Sequence, residues 1–294
     1  MTQFRSIVVA TDFSAGAALA AARAARLCGL PGVETVQLLH VVDAPWLGVL
    51  GRSLGMAESA REALMEEAAH ALAAQVQALA REAGRSVTSR VMVGPLLDTL
   101  LEGAAGADLL VIGAHGQHPV RAMALGSTGE RMLRRRRGAM LVVRKAAGGD
   151  YRQVLAPVDF SPYGASVVRS AAAIAPQARI EVLHAFEVPF EGKLRAAGVP
   201  DDEIVHLRQQ ARAQAVDGIA EVIARSGIEQ ARLERRIGHG YAPRAIVDAA
   251  RESGADLVVI GKHGESRTED LLLGSVTLHV LGEVRCDVLV VGAS

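Results

Sequence analysis

Short apolar runs alternate along the chain with longer stretches in which apolar residues recur at helical spacing. Residues 6–10 (SIVVA) predict a strand that ends in TDFS. Ser14 then precedes AGAALAAARAARLCG, an Ala-rich helical stretch with Arg23 and Arg26 near its end and Gly29 as a stop. Residues 36–42 predict a second strand, 57–83 a long helix closed by Gly84, and 87–93 a more alternating third strand. A helix over 96–105, a strand over 108–112, a helix over 126–137 and a strand over 140–143 follow. The fourth strand is continuously apolar, so both its faces are expected to be buried.

The same order then repeats. GADLLVIGAHG, ending at Gly116, returns as GADLVVIGKHG, ending at Gly264, with nine of eleven positions identical at an offset of 148 residues. SIVVATDFS answers to QVLAPVDFS, VQLLHV to IEVLHA, GSTGERML to GSVTLHVL and AMLVV to DVLVV. A period this long is a duplicated domain rather than a solenoid repeat. RKAAGGD, residues 144–150, is the expected boundary, giving domains 1–147 and 148–294. Strands alternating with helices imply an α/β fold of two tandem doubly wound, Rossmann-like domains, each on a five-stranded parallel sheet. Ligands of such sheets bind beyond the carboxyl ends of the strands, where the strand order changes direction. The residues after strands 1, 2 and 4 are therefore the ones to examine.

Composition narrows this picture. Half the residues are hydrophobic while aromatics are 3%, which suits Ala-rich helices on a β-branched sheet. The formal net charge is zero, which argues against general nucleic-acid binding. Residues 1–147 carry 16 Lys+Arg against 12 Asp+Glu and residues 148–294 carry 16 against 20, so +4 faces −4, a bias toward domain association. Cys28 and Cys286 occupy non-equivalent places and form no CxxC, which fits a reduced compartment. No apolar run reaches the length of a membrane span, and the opening residues lack the plan of a signal peptide. The expectation is a soluble cytoplasmic protein with no membrane partner.

The chemistry gathers after strand 4. Gly113 and Gly116 are followed, after nine residues, by Gly126 and Ser127; Gly261 and Gly264 are followed by Gly274 and Ser275 at the same spacing. Glycine there permits close backbone approach to a ligand. The second Gly pair opens a helix whose free N–H groups and dipole favour an anion, with the serine hydroxyl as an added donor and N-cap. One such turn is unremarkable; two complete copies after two buried strands point to a phosphate cradle. Asp12 and Asp159 end strand 1, where a carboxylate accepts from ribose hydroxyls or an adenine amino group, or else caps the next helix. Ser14 and Ser161 are better placed to cap, which leaves the aspartates for a ligand.

These residues resemble the universal stress protein family, in tandem form over essentially the whole chain. G-x2-G-x9-G-(S/T) is that family's ATP-binding signature. The resemblance implies domains like the adenine nucleotide alpha hydrolases, with strand order 3-2-1-4-5. It implies ATP, ADP or AMP as ligand, with or without Mg²⁺, and backbone contacts to adenine at Val41 and Ala185. It also implies Asp12 and Asp159 at adenine or ribose, and pairing through strand 5, residues 141–143 against 289–291. That pairing makes an internal pseudo-dimer and leaves a homodimer open. Repeat 2 has the family's Pro-x-Asp as Pro157-Val158-Asp159; repeat 1 has Ala10-Thr11-Asp12.

Other residues carry weaker expectations. His115, His118 and His263 lie in or near the turn, where packing competes with phosphate contact. His40 and His184 end strand 2 and are expected to be satisfied structurally. Arg134–Arg137 reads as a solvated helix end suited to the dipole. The nine-residue loops differ: Arg121 is the one formal charge of the first, while the second sets Arg267 against Glu265, Glu269 and Asp270, with a short helix possible from Thr268. That difference predicts tighter metal-free ATP binding at site 1. Glu269 and Asp270 are the candidates for Mg²⁺ if hydrolysis occurs. Trp46 is expected beside the adenine end of site 1.

No GxxxxGK[ST], HExxH or Ser-His-Asp order is present, so no catalytic residue is assigned. Three classes stay open: a nucleotide-binding stress regulator working through a protein partner, a slow ATP-hydrolysing enzyme, and a scaffold with vestigial pockets. The first is favoured, with one nucleotide per repeat.

Overall fold

The computed structural model describes residues 4–43, 57–84, 86–116, 125–264 and 273–292. Two units emerge, one of Gln3–Asp150 together with Asp287–Ser294, the other of Tyr151–Cys286.

In the first unit β1 (Ser6–Ala10), α1 (Ala15–Leu27), β2 (Thr35–Val42), α2 (Ala57–Ala83), β3 (Thr88–Val93), α3 (Leu96–Gly103), β4 (Leu109–Gly113), α4 (Ser127–Arg135) and β5 (Ala139–Val143) alternate as expected. The strands run in the order β3-β2-β1-β4-β5 with parallel neighbours. The order reverses between β1 and β4, which places the switch point where Asp12 and the first glycine pair emerge. Val9, Leu38, Leu39, Leu109, Leu110 and Val111 are fully buried, as their apolar runs require.

The second unit repeats the plan with β6 (Gln153–Pro157), α5 (Gly164–Ile174), β7 (Arg179–Phe186), a short α6 (Glu191–Ala196), α7 (Asp201–Ser226), β8 (Leu233–His239), α8 (Ala242–Glu252), β9 (Leu257–Gly261) and α9 (Ser275–Glu283). Its strands run β8-β7-β6-β9, again parallel. The last strand, β10 (Asp287–Val291), belongs to the first unit and lies antiparallel on β5, with Val288 opposite Val142 and Leu289 opposite Leu141. The last strands of the two repeats therefore pair as expected, with 140–142 opposite 290–288 and Leu141 against Leu289 from the expected stretches.

The repeated GAD has a job at the opposite end of the sheet from the glycine pairs. Asp108 Oδ2 accepts the N–H groups of Arg5 and Ser6 and the Ser6 hydroxyl. Asp256 accepts those of Arg152 and Gln153. Each carboxylate satisfies backbone donors at the start of a central strand, where no ladder partner reaches.

The arginine run departs from expectation. Arg134 pairs with Glu130 and Arg135 with Asp98, but Arg136 is buried. Its guanidinium donates to the carbonyls of Ala104, Ala107 and Ala139, so it closes the C-terminal end of α3 against β5 rather than facing solvent. Burial pushes its pKa down, and the charge of Asp108 works the other way.

Candidate functional site

Strand 1 delivers its aspartate to the same place in both units. Asp12 Oδ1 accepts the Ser14 N–H at 3.0 Å, and Asp159 Oδ1 accepts the Ser161 N–H and the Ser161 hydroxyl, the latter at 2.5 Å. The aspartates are therefore not wholly freed by their serines, because the tight turn after the strand brings a donor back onto each one. The other carboxylate oxygen faces the signature. A methyl on Gly116 would lie 2.6 Å from Asp12 Oδ2, and one on Gly264 would lie 3.0 Å from Asp159 Oδ2. The second glycine of each G-x2-G is thus required by a carboxylate packed where its side chain would be.

The helix after each signature begins as expected but is capped differently. Gly126 and Gly274 are the N-caps, and Ser127 and Ser275 are the first helical residues. Neither helix has a side-chain cap, which corrects the capping role expected of the serines. Gly126 N–H donates to Ala114 O and Gly274 N–H to Lys262 O, so the turn folds back on itself and engages the cap glycine's own donor. Anion-directed donors must therefore come from the first helical turn, beginning at Ser127 or Ser275.

Serine capping after strand 1 holds in one repeat. Ser14 is the N-cap of α1 and accepts the Ala17 N–H at 3.1 Å. In repeat 2 the cap position of α5 is Tyr163, and Ser161 Oγ accepts the Tyr163 N–H instead. The connection there is one residue longer, FSPYG against FSAG.

His40 Nδ1 meets Thr11 O at 2.8 Å and its ring lies 4.4 Å from that of Phe13; His184 Nδ1 meets Val158 O at 2.9 Å and stacks on Phe160 at 4.0 Å. A carbonyl only accepts, so Nδ1 carries the proton in each, and both histidines brace strand 2 against strand 1 as expected. Val41 and Ala185 sit within the last residues of β2 and β7 rather than beyond them, so their backbones are part of ladders with β3 and β8.

In the second unit these parts surround one cleft of about 200 Å³. Asp159, Ala185, Gly261, Gly264, Gly274 and Ser275 all line it. So do His184 and His263, and so do Tyr163, Val167 and Ile246, which were not singled out from sequence. Thr277 Oγ1 donates to Gly261 O at 2.8 Å and ties the first turn of α9 to the end of β9. Among the described residues lining the cleft, Asp159 is the one carboxylate. The extra residue in FSPYG was the sequence signal for Tyr163. Trp46, His118, Arg121, Glu265, Arg267, Thr268, Glu269 and Asp270 lie outside the described residues. No helix among the described residues is long and apolar enough to cross a membrane.

The profile of the universal stress protein family matches residues 3–144 and again 150–292. A universal stress protein of Mycolicibacterium smegmatis is 28% identical over 97% of this chain and 96% of its own length. One from Thermus aquaticus, named for its place in the QAH/OAS sulfhydrylase 3' region, is 34% identical over 48% of this chain and 98% of its own. The crystal structure of a universal stress protein from Archaeoglobus fulgidus superposes with a TM-score of 0.69 at 18% identity, covering 99% of this chain and all of that one, a likeness of fold. Two family domains in tandem, each with its own copy of the signature, make this chain a member of the universal stress protein family.

Proposed function

We propose that this protein binds an adenine nucleotide, ATP or its lower phosphates, and that a partner protein responds to the loaded state. The observation that carries this is the second-unit cleft, where a strand-1 carboxylate, the two glycines at and just after the end of β9 and the uncapped start of α9 converge. An uncapped helix start suits phosphate, and a carboxylate suits hydroxyl or amino donors. The apolar walls, Val167, Leu183 and Ile246, suit a base. Binding without efficient turnover is the reading favoured by the sequence, which holds no GxxxxGK[ST] motif.

The test is direct. Purified protein is denatured, the released small molecules are separated on an ion-exchange column, and the emptied, refolded protein is titrated with ATP. Adenine nucleotide in the eluate, or saturable ATP binding, is the expected result. Neither release nor binding would remove the proposal. A phosphate-release assay on the loaded protein is expected to show no multiple turnover.

A further inference from the structure

The two copies of the signature agree at every defining position, yet the helix that follows strand 1 enters differently. In the first unit α1 starts three residues after Asp12, by way of Phe13 in the left-handed region at φ 63°. This short path drives the start of α1 against the signature. A methyl on Gly16 would lie 2.0 Å from the His115 carbonyl oxygen. One on Gly113 would lie 2.4 Å from the Gly16 carbonyl carbon and 3.0 Å from Ala17 N. Backbone meets backbone here, with glycine on both sides of the contact and no room left between them.

In the second unit the same place is open. The extra residue adds a turn through Pro162 and Tyr163, and α5 starts five residues after Asp159. The missing side chain of Gly164 faces Asp159 O, at the end of its own strand, instead of the signature. That of Gly261 has no α5 backbone among its nearest neighbours; it meets His263 O at 3.1 Å and a Val167 methyl at 3.8 Å. Tyr163, Gly164 and Val167 form one wall of the cleft, and Gly261, His263 and Gly264 form the facing part.

The start of the helix after the signature differs too. Thr277 braces Gly261 in the second unit, whereas Gly129 stands at its place in the first. A methyl on Gly129 would lie 2.8 Å from Leu125 Cδ1 and 3.0 Å from Ile112 Cδ1, so apolar side chains occupy the space where Thr277 makes its bond.

From these contacts we infer that nucleotide occupies the second repeat alone, one per chain, and that the first repeat carries a closed copy of the site held shut by α1. This rests on the proposal that the signature is a nucleotide cradle. The sequence, with two complete signatures, predicts two.

Calorimetric titration of the full chain with ATP and Mg²⁺ gives the stoichiometry, and hydrogen exchange with and without ATP locates it. The expected result is a stoichiometry near one. ATP should slow exchange in peptides spanning 257–264 and 275–283 and leave those spanning 109–116 and 127–135 unchanged. Gly274→Asp, checked for folding by circular dichroism, should weaken ATP by at least about 100-fold, since it sets a negative charge at the start of α9 where phosphate would lie. A stoichiometry near two, or protection in 109–116 and 127–135, would overturn the inference while leaving nucleotide binding intact. No binding at all would overturn both. The exchange experiment uses the unaltered chain, so the result stands if Gly274→Asp fails to fold.

Discussion

The two repeats put one signature into two settings, and the difference lies in what presses on it. In the first unit, α1 is anchored at Arg23. Arg23, on α1, is buried with Asp287 of β10, Nε to Oδ2 at 3.3 Å, and donates to Gly149 O at 2.7 Å. Asp287 also accepts the N–H of Arg144 at 2.8 Å. At the offset of the repeat, Ala171 stands on α5 where Arg23 stands on α1. A helix tied by a buried ion pair closes on its signature; a helix without that tie, entered through a longer turn, leaves a cleft. A motif fixes which groups are present, and the neighbouring connection fixes whether a ligand reaches them.

The largest effect is expected from breaking the tie. Asp287→Ala leaves the Arg23 guanidinium buried without its counter-ion, and removing one member of such a pair costs about 3–5 kcal/mol. Urea unfolding followed by circular dichroism should show the loss. Ala171→Gly, at the untied position, should cost only about 1 kcal/mol, from helix propensity. Equal losses in the two variants would erase the contrast between the helices.

Second comes the connection itself. Replacing Pro162-Tyr163 by a single Ala gives repeat 2 the short FSAG link of repeat 1. If link length sets the entry of the helix, α5 should move onto the signature and ATP affinity should fall about 100-fold, near 2.7 kcal/mol. Calorimetry checks this. Retained affinity in a folded variant would show that link length does not close the site.

Much of this architecture was legible from sequence. The 57–83 helix and the burial of strand 4 follow from periodicity alone, and the duplication from eleven residues seen twice. The glycine spacing was legible as a pattern, but the reason for Gly116 and Gly264 was not, since the Asp12 and Asp159 carboxylates pack where their side chains would lie. The closure of site 1 was not, since it depends on Gly16 meeting His115 across 99 residues of chain. The fate of Arg136 was not legible either: four arginines in a row look alike until one of them finds three carbonyls. Nothing in the sequence singled out Asp287; its contacts with Arg23 and the Arg144 N–H give it weight.

Third, the carboxylate–glycine contact offers a smaller and matched test. Gly116→Ala forces a methyl to 2.6 Å from Asp12 Oδ2, and Gly264→Ala to 3.0 Å from Asp159 Oδ2. Both carboxylates must shift, the first by more. Overpacking of this kind costs about 1–3 kcal/mol, so Gly116→Ala should lie at the upper end and Gly264→Ala at the lower. Gly264→Ala should in addition weaken ATP about tenfold, because the displaced Asp159 is the carboxylate of the open cleft. Unfolding midpoints give the first comparison and calorimetry the second. The reverse order of stability would contradict the tighter packing of site 1.

The smallest effect concerns the rim of the open cleft. Ala185 and Ala242 line the cleft; His239, the last residue of β8 and opposite Phe186, has its ring 5.1 Å from that of Phe186 and its Nε2 3.4 Å from a carboxylate oxygen of Glu191. Glu191 is gripped by Arg208 through both carboxylate oxygens and lies 3.5 Å from Arg195. The hydrogen bond from Arg208 pushes its pKa down to about 2 from an ordinary value of 4.5. A carboxyl with a depressed folded-state pKa contributes stability that is full above the unfolded value and fades as pH falls through the folded one. The network should therefore be intact at pH 6, weaken below about pH 4.5 and be gone below about pH 2. Glu191→Gln should lower the thermal midpoint slightly at pH 6, and the difference should shrink as pH falls and vanish only below about pH 2, where the wild-type side chain becomes neutral as well. The group is partly solvated and salt screens it, so the difference at pH 6 should shrink in 1 M salt. A difference that stays as large near pH 2 as at pH 6 would mean that Glu191 acts by packing rather than by charge.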